Sequence, residues 1–196
     1  MDLHQARSQV RDWLSKQKDA FENLVDFEVV EWRGREMALD ENLEGPVWRL
    51  PGIEVRQFER MELIGVASSV SLGTAQNDDR FGLWLPEVAD SSGSKSGWTI
   101  PVDDSPFASN TASIFRDVRI PELPVGVVEH VCVSFSAEET EVEAVAMRIG
   151  GHVVSLTAGE VYPGLDGSVT ISALDESILV QVDGLHPDKR SAGPNV

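Results

Sequence analysis

The chain has 196 residues, 41% of them hydrophobic, and its 33 acids outnumber its 16 bases, for a formal net charge of -17. That is enough apolar material for a core without metal or disulfide staples, and the single cysteine, Cys132, excludes an intramolecular disulfide. The negative field disfavours direct contact with phosphate backbones or anionic lipid and favours a basic protein partner.

The N-terminal "MDLHQARSQVRDWL" lacks the apolar stretch and small-residue cleavage site of a signal peptide, and no run of about 18 apolar residues occurs. A cytoplasmic protein is the expectation, because one free thiol suits a reducing compartment. Length favours a single globular domain over residues 1–186, with a tail at 187–196 whose composition predicts disorder.

The spacing predicts a helix over 2–24. Leu3, Ala6, Val10, Trp13, Leu14, Ala20, Phe21 and Leu24 fall on one apolar stripe, which Gln17 interrupts. The texture then turns β-rich over 25–186. "VDFEVVEW" followed by "RGREMAL" predicts a strand, a turn at Gly34 and a return strand. Residues 45–72 hold two or three further strands and 80–88 a short one. The segment 89–97 is small and polar and predicts a surface loop, and 101–110 predicts another irregular connection.

The C-terminal part predicts an antiparallel meander of about five strands. "VGVVEHVCVSF" alternates, with Val127, Val131, Val133 and Phe135 on one face. "VEAVAMRI" and "HVVSLTAGEV" flank Gly150-Gly151, a pair suited to a two-residue hairpin turn. "YPGLDG" is a turn, "SVTISAL" a strand, "DES" a tight turn and "ILVQV" the last strand. The fold class is therefore α+β, an amphipathic N-terminal helix on a mostly antiparallel sheet, strongly curved or barrel-like.

Ahead of the Gly-Gly turn lies "SAEETEVEAVAMRI". Ser136-x-x-Glu139 fits a helix capping box, and Val142, Val145, Ala146 and Ile149 sit at helical spacing. Pairing across Gly150-Gly151 sets Ile149 against His152, Met147 against Val154 and Val145 against Leu156, which makes one apolar face and favours a strand. Glu138 and Glu139 then fall in a loop, while Glu141 and Glu143 run past the edge of the core. From Val118 to His186 only Arg119 and Arg148 oppose eleven acids.

Recognisable chemistry is sparse. His4, His130, His152 and His186 are scattered, His130-x-Cys132 is the one close pair, and neither zinc nor calcium spacing occurs. "GVASSVSLG" is no nucleophile elbow, and no phosphate-binding glycine loop exists. No catalytic residue, metal or cofactor is assigned. Glu160 and the pair Asp175-Glu176 lie near strand ends, where two acids could serve a glycosidase. Trp32, Trp48 and Trp84 are expected in the core, and Trp98, after a polar loop, partly exposed.

These features point to an acidic interaction protein, an inhibitor or immunity-type module that neutralises a basic partner. Glu138, Glu139, Glu141, Glu143, Asp175, Glu176 and Trp98 form the expected contact surface. The alternatives are a subunit of a homo-oligomer or larger assembly, and a carboxylate enzyme without a familiar motif.

Overall fold

Period-two alternation of apolar residues across a Gly-Gly turn determines the best-formed part of the protein. In the computed structural model, which describes residues 3–37, 47–50, 53–85 and 115–184, β9 (Val142–Ile149) and β10 (His152–Pro163) pair in the expected register. Gly150 and Gly151 both take positive φ, as the two-residue turn requires. Val145, Met147, Ile149, Val154 and Leu156 are fully buried on one face. Segments 89–97 and 101–110, Trp98 and the 187–196 tail lie outside the described residues.

Around this hairpin the chain builds one long antiparallel ladder. Its remaining strands are β1 (Glu28–Met37), β2 (Val47–Leu50), β3 (Ile53–Phe58), β4 (Arg60–Gly65), β5 (Ser69–Asn77), β6 (Arg80–Trp84), β7 (Phe115–Arg119), β8 (Gly126–Phe135) and β11 (Val169–Val182). The order is β2-β3-β11-β10-β9-β8-β1-β4-β5-β6, with β7 added beside β1. The ladder has two ends, so the sheet is open rather than a closed barrel. It folds over on itself at Glu59, where β3 in one half passes directly into β4 in the other. Trp32, Met61 and Leu63 from one half thereby join Met147, Leu156 and Ile178 from the other in a single core.

The helix α1 (Leu3–Glu22) adds Leu14 and Phe21 to that core, and Leu24 follows in the next turn. The amide N–H of Leu85, just past β6, donates to Gln17 Oε1 at 2.9 Å. Gln17, 5% exposed, thus ties the helix to the far end of the sheet instead of merely breaking the stripe. No helix among the described residues is long and apolar enough to cross a membrane.

Three local expectations are corrected. Gly34 is no turn: β1 runs straight through it, because the rings and methyls around it leave room for a strand without a side chain. "DES" is no turn between two strands. Both halves of β11 pair with β10, Ala158 with Ile178 and Gly159 with Ala173, so residues 174–177 are extruded as a bulge. Gln57 bridges the gap, its Oε1 accepting from Val161 N at 2.9 Å and its Nε2 donating to Ser177 Oγ at 3.2 Å. Finally, a register shift in β8 between Val128 and His130 buries Val128 and leaves Val127 exposed.

One charged cluster is interior. In β1, Trp32, Gly34 and Glu36 share the buried side, which carries the Glu36 carboxylate to 1% exposure. Arg56 of β3 donates to its Oε2 at 2.7 Å, and Arg116 of β7 donates to its Oε1 at 2.7 Å. Arg56 also pairs with Glu122 and lies over the Phe58 ring, 5.0 Å from its centroid. These groups clamp β3, β1 and β7 together where the two halves of the sheet meet.

Candidate functional site

The acid-rich stretch before β9 folds around one serine. Ser136 Oγ accepts from the amides of Thr140 and Glu141, both at 3.2 Å, and donates to Glu141 Oε2 at 2.7 Å. Thr140 Oγ1 donates to the same carboxylate oxygen, and Asn77 Nδ2 donates to the other at 2.9 Å. Glu141 is therefore an interior anchor, 2% exposed, and not part of the contact surface. Its hydrogen bonds compensate its lost hydration. Glu139 takes a left-handed φ of 53° in the loop, so the capping-box helix does not form and the strand begins at Val142.

Anchoring Glu141 turns Glu138 outward, into an open groove of about 440 Å³. The β5–β6 turn contributes Asp79 and Arg80, β9 contributes Glu143, and the β11 bulge contributes Leu174 and Asp175. Leu174 sits at a φ of 57°, a conformation that the bulge imposes and that re-aims the acid after it. Thr74 Oγ1 of β5 donates to Glu176 O at 2.6 Å, which ties the bulge to the opposite half of the sheet. Acids far apart in the chain thus converge on one face.

Electrostatics follow from this geometry. Arg80 donates to Glu138 Oε2 at 2.6 Å, and this bond, with a backbone N–H behind it, holds the Glu138 carboxyl below the ordinary carboxylate range. A depressed carboxyl pKa stabilises the fold above its unfolded value and loses that contribution as pH falls through the folded value. The pair therefore survives moderate acidification. Asp79, Glu143 and Asp175 supply the remaining negative charge of the groove.

Beyond Asp175 the acidic surface continues. Tyr162 Oη lies 3.1 Å from both Glu160 Oε2 and Asp175 Oδ2, so those two oxygens are within twice that distance of each other. The sequence marked both acids, and the structure joins them through a phenol. Desolvation, then the hydrogen bonds to Asp175 and Glu160, push the Tyr162 phenol up to about 12. A phenol that stays neutral so far above pH 7 is a poor proton shuttle but a durable donor to carboxylates.

Tyr162 is the only tyrosine, which makes this testable by absorbance. Alkaline titration of the phenolate band should give a midpoint near 12 in the folded protein. Asp175→Asn should move it toward the ordinary value of about 10. The raised value stabilises the fold below the unfolded pKa and loses that contribution as pH rises through the folded one. A wild-type midpoint at the ordinary value would refute the hydrogen-bonded trio.

Of the expected contact residues, Glu138, Glu143 and Asp175 line the groove, while Glu139 and Glu176 are exposed nearby in sequence. Trp98 lies outside the described residues. Trp84, expected in the core, is 39% exposed on the last strand of the ladder, whereas Trp32 is buried and donates from Nε1 to Pro124 O at 2.8 Å. The sequence reading missed Arg80 and Tyr162 as members of the site. The Asn77-Asp78-Asp79-Arg80 hairpin pattern was the available signal for the first. Among the described residues no group of three or more His, Cys, Asp or Glu side chains is arranged to hold a metal ion.

Fold and groove together define an α+β protein whose open antiparallel sheet carries an acidic groove on one side. Comparison with family models, curated proteins and solved structures finds no match to the chain.

Proposed function

We propose that the protein is an acidic, cytoplasmic interaction module that binds and neutralises a basic partner, as inhibitors and immunity proteins do. The convergence of Glu138, Glu143, Asp175 and Asp79 on one groove carries this reading. In a chain of net charge -17 such a groove steers a cationic surface inward, and its carboxylates then pair with lysine or arginine. A single thiol fits the reducing compartment proposed for it.

The test compares wild type with the triple variant Glu138→Lys, Glu143→Lys, Asp175→Lys, immobilised and exposed to extract of the native host. Wild type should retain a basic protein, with an association rate that falls steeply as salt rises. The variant should bind that protein roughly a hundredfold more weakly, since several carboxylate pairs are lost. Equal retention by both forms would dismiss the groove as a contact surface.

The second reading, a homo-oligomer subunit, is favoured by one observation. Val127 stands opposite Glu28 where β8 meets β1, and Val25, Val30 and Val125 nearby are likewise 40–55% exposed. Light scattering at micromolar concentration distinguishes the two readings. A stable dimer would support assembly through this strip, and a monomer would remove it.

A further inference from the structure

At the far end of β10 and the start of β11 the sheet thins to a two-stranded arm. β9 parts from β10 after Thr157, and β3 meets β11 only at 178–180, so 159–163 and 169–173 pair with each other and, among the described residues, with no third strand. Such a ribbon is marginal by itself. Its base is packed, Val161 and Val169 lying against Val55 and Leu179. Its tip is tied: Gly164 N donates to Ser168 O at 2.7 Å, and Ser168 N to Asp166 Oδ1 at 2.9 Å. The arm is thus an ordered projection, yet no residue from Tyr162 to Glu176 is buried.

Tyr162, Leu165 and Ile171 all stand in water on this arm, and exposed apolar groups gathered in one place mark contact surfaces. Pairing of Glu160 with Ser172 and of Tyr162 with Thr170 puts these four on one face. Ser172 and Asp175 also line the acidic groove, so the face continues it. No lysine or arginine occurs between Arg148 and Lys189, while Glu160, Asp166, Asp175 and Glu176 do. The complement of this face is cationic. The Tyr162 ring remains 46% exposed between two acids, and Glu160 Oε1 has no hydrogen-bond partner among the described residues. Carboxylates alone take lysine and arginine, but an aromatic ring beside them favours arginine, whose planar head stacks while its N–H groups reach the acids.

We propose that this face of the arm selects arginine on a basic protein partner, the guanidinium stacking on Tyr162 and donating to Glu160 and Asp175. The assignment rests on the reading of the groove as a contact surface for such a partner and names the side chain that the surface prefers. The groove supplies attraction to any cation, and Tyr162 supplies the distinction between the two kinds.

The experiment titrates the whole chain with heptaarginine and heptalysine peptides at low salt, by calorimetry. Wild type should bind heptaarginine about fivefold more tightly than heptalysine, the worth of one exposed cation–ring contact. Tyr162→Leu, at an exposed position that the fold tolerates, should reduce that ratio to about twofold or less and leave heptalysine binding unchanged. Tyr162→Phe, which keeps the ring, should retain the preference. Equal binding of the two peptides by wild type, a preference that survives Tyr162→Leu, or one lost equally in Tyr162→Phe would each overturn the arginine assignment and leave the groove reading standing. Failure of wild type to bind either peptide would overturn the groove reading and the assignment together.

Discussion

Replacing Glu36 with glutamine is expected to destabilise the protein by about 3–5 kcal/mol, the usual cost of breaking a buried ion pair by removing one partner. The substitution keeps shape and removes only charge. Arg56 and Arg116, with side chains 15% and 23% exposed, would then face a neutral oxygen and each other across a largely dry space. Mutual repulsion and lost charge-assisted hydrogen bonds act together there. Thermal unfolding should show a melting temperature lower by about 6–20 °C for a chain of this size. An unchanged melting temperature would mean that water, and not Glu36, balances the two guanidinium groups. Replacing all three residues with apolar ones of similar volume should cost far less than Glu36→Gln alone, because no charge is stranded.

Gly34→Ala is the second large effect. A Cβ at that position would stand 2.7 Å from Phe58 Cε1 and 2.9 Å from Ile120 Cδ1, closer than carbon atoms approach. Phe58 is fully buried and carries the Arg56 guanidinium over its ring, so it cannot swing aside without disturbing the Glu36 cluster. Overpacking of this kind costs about 1–3 kcal/mol or more. Chemical denaturation should show a lower midpoint with little change in slope. Because Gly34, Phe58, Arg56 and Glu36 form one contiguous unit, Gly34→Ala and Glu36→Gln should be non-additive when combined. Simple addition of the two effects would show that the ring moves independently of the ion cluster.

Much of the local structure was legible in the residues. Helix α1 was written as a three- and four-residue apolar stripe, and its length was overestimated by only the turn that carries Leu24. The β9–β10 register followed from Gly150-Gly151 and alternation, because a slip of one residue would turn five buried side chains to water. Errors arose where alternation breaks. The β8 register shift exchanges Val127 for Val128, and the β11 bulge mimics a turn because its polar Asp175-Glu176-Ser177 follows a residue at positive φ, Leu174, as turn residues often do. Gly34 misled for a related reason: glycine marks a turn and a crowded strand equally well.

The candidate site was legible only in part. Sequence alone located the acids, since a run of glutamates and an isolated Asp-Glu pair are visible as such. It could not say which of them face water. Glu141 and Glu138 are three residues apart, yet one is an interior anchor and the other lines the groove, because Asn77 and Ser136 supply donors to only the first.

Composition and short-range periodicity determined the net charge, the helix face, the hairpin register and the predominance of antiparallel strands, because each depends on neighbours within a few residues. The tertiary structure alone decided that the sheet stays open, that Glu36 is interior and that Glu138, Glu143 and Asp175 share one groove. Those outcomes rest on partners distant in the chain, 20 and 80 residues away in the case of Glu36. A carboxylate's hydration or pairing is set by what the fold brings to it, and no local pattern encodes that.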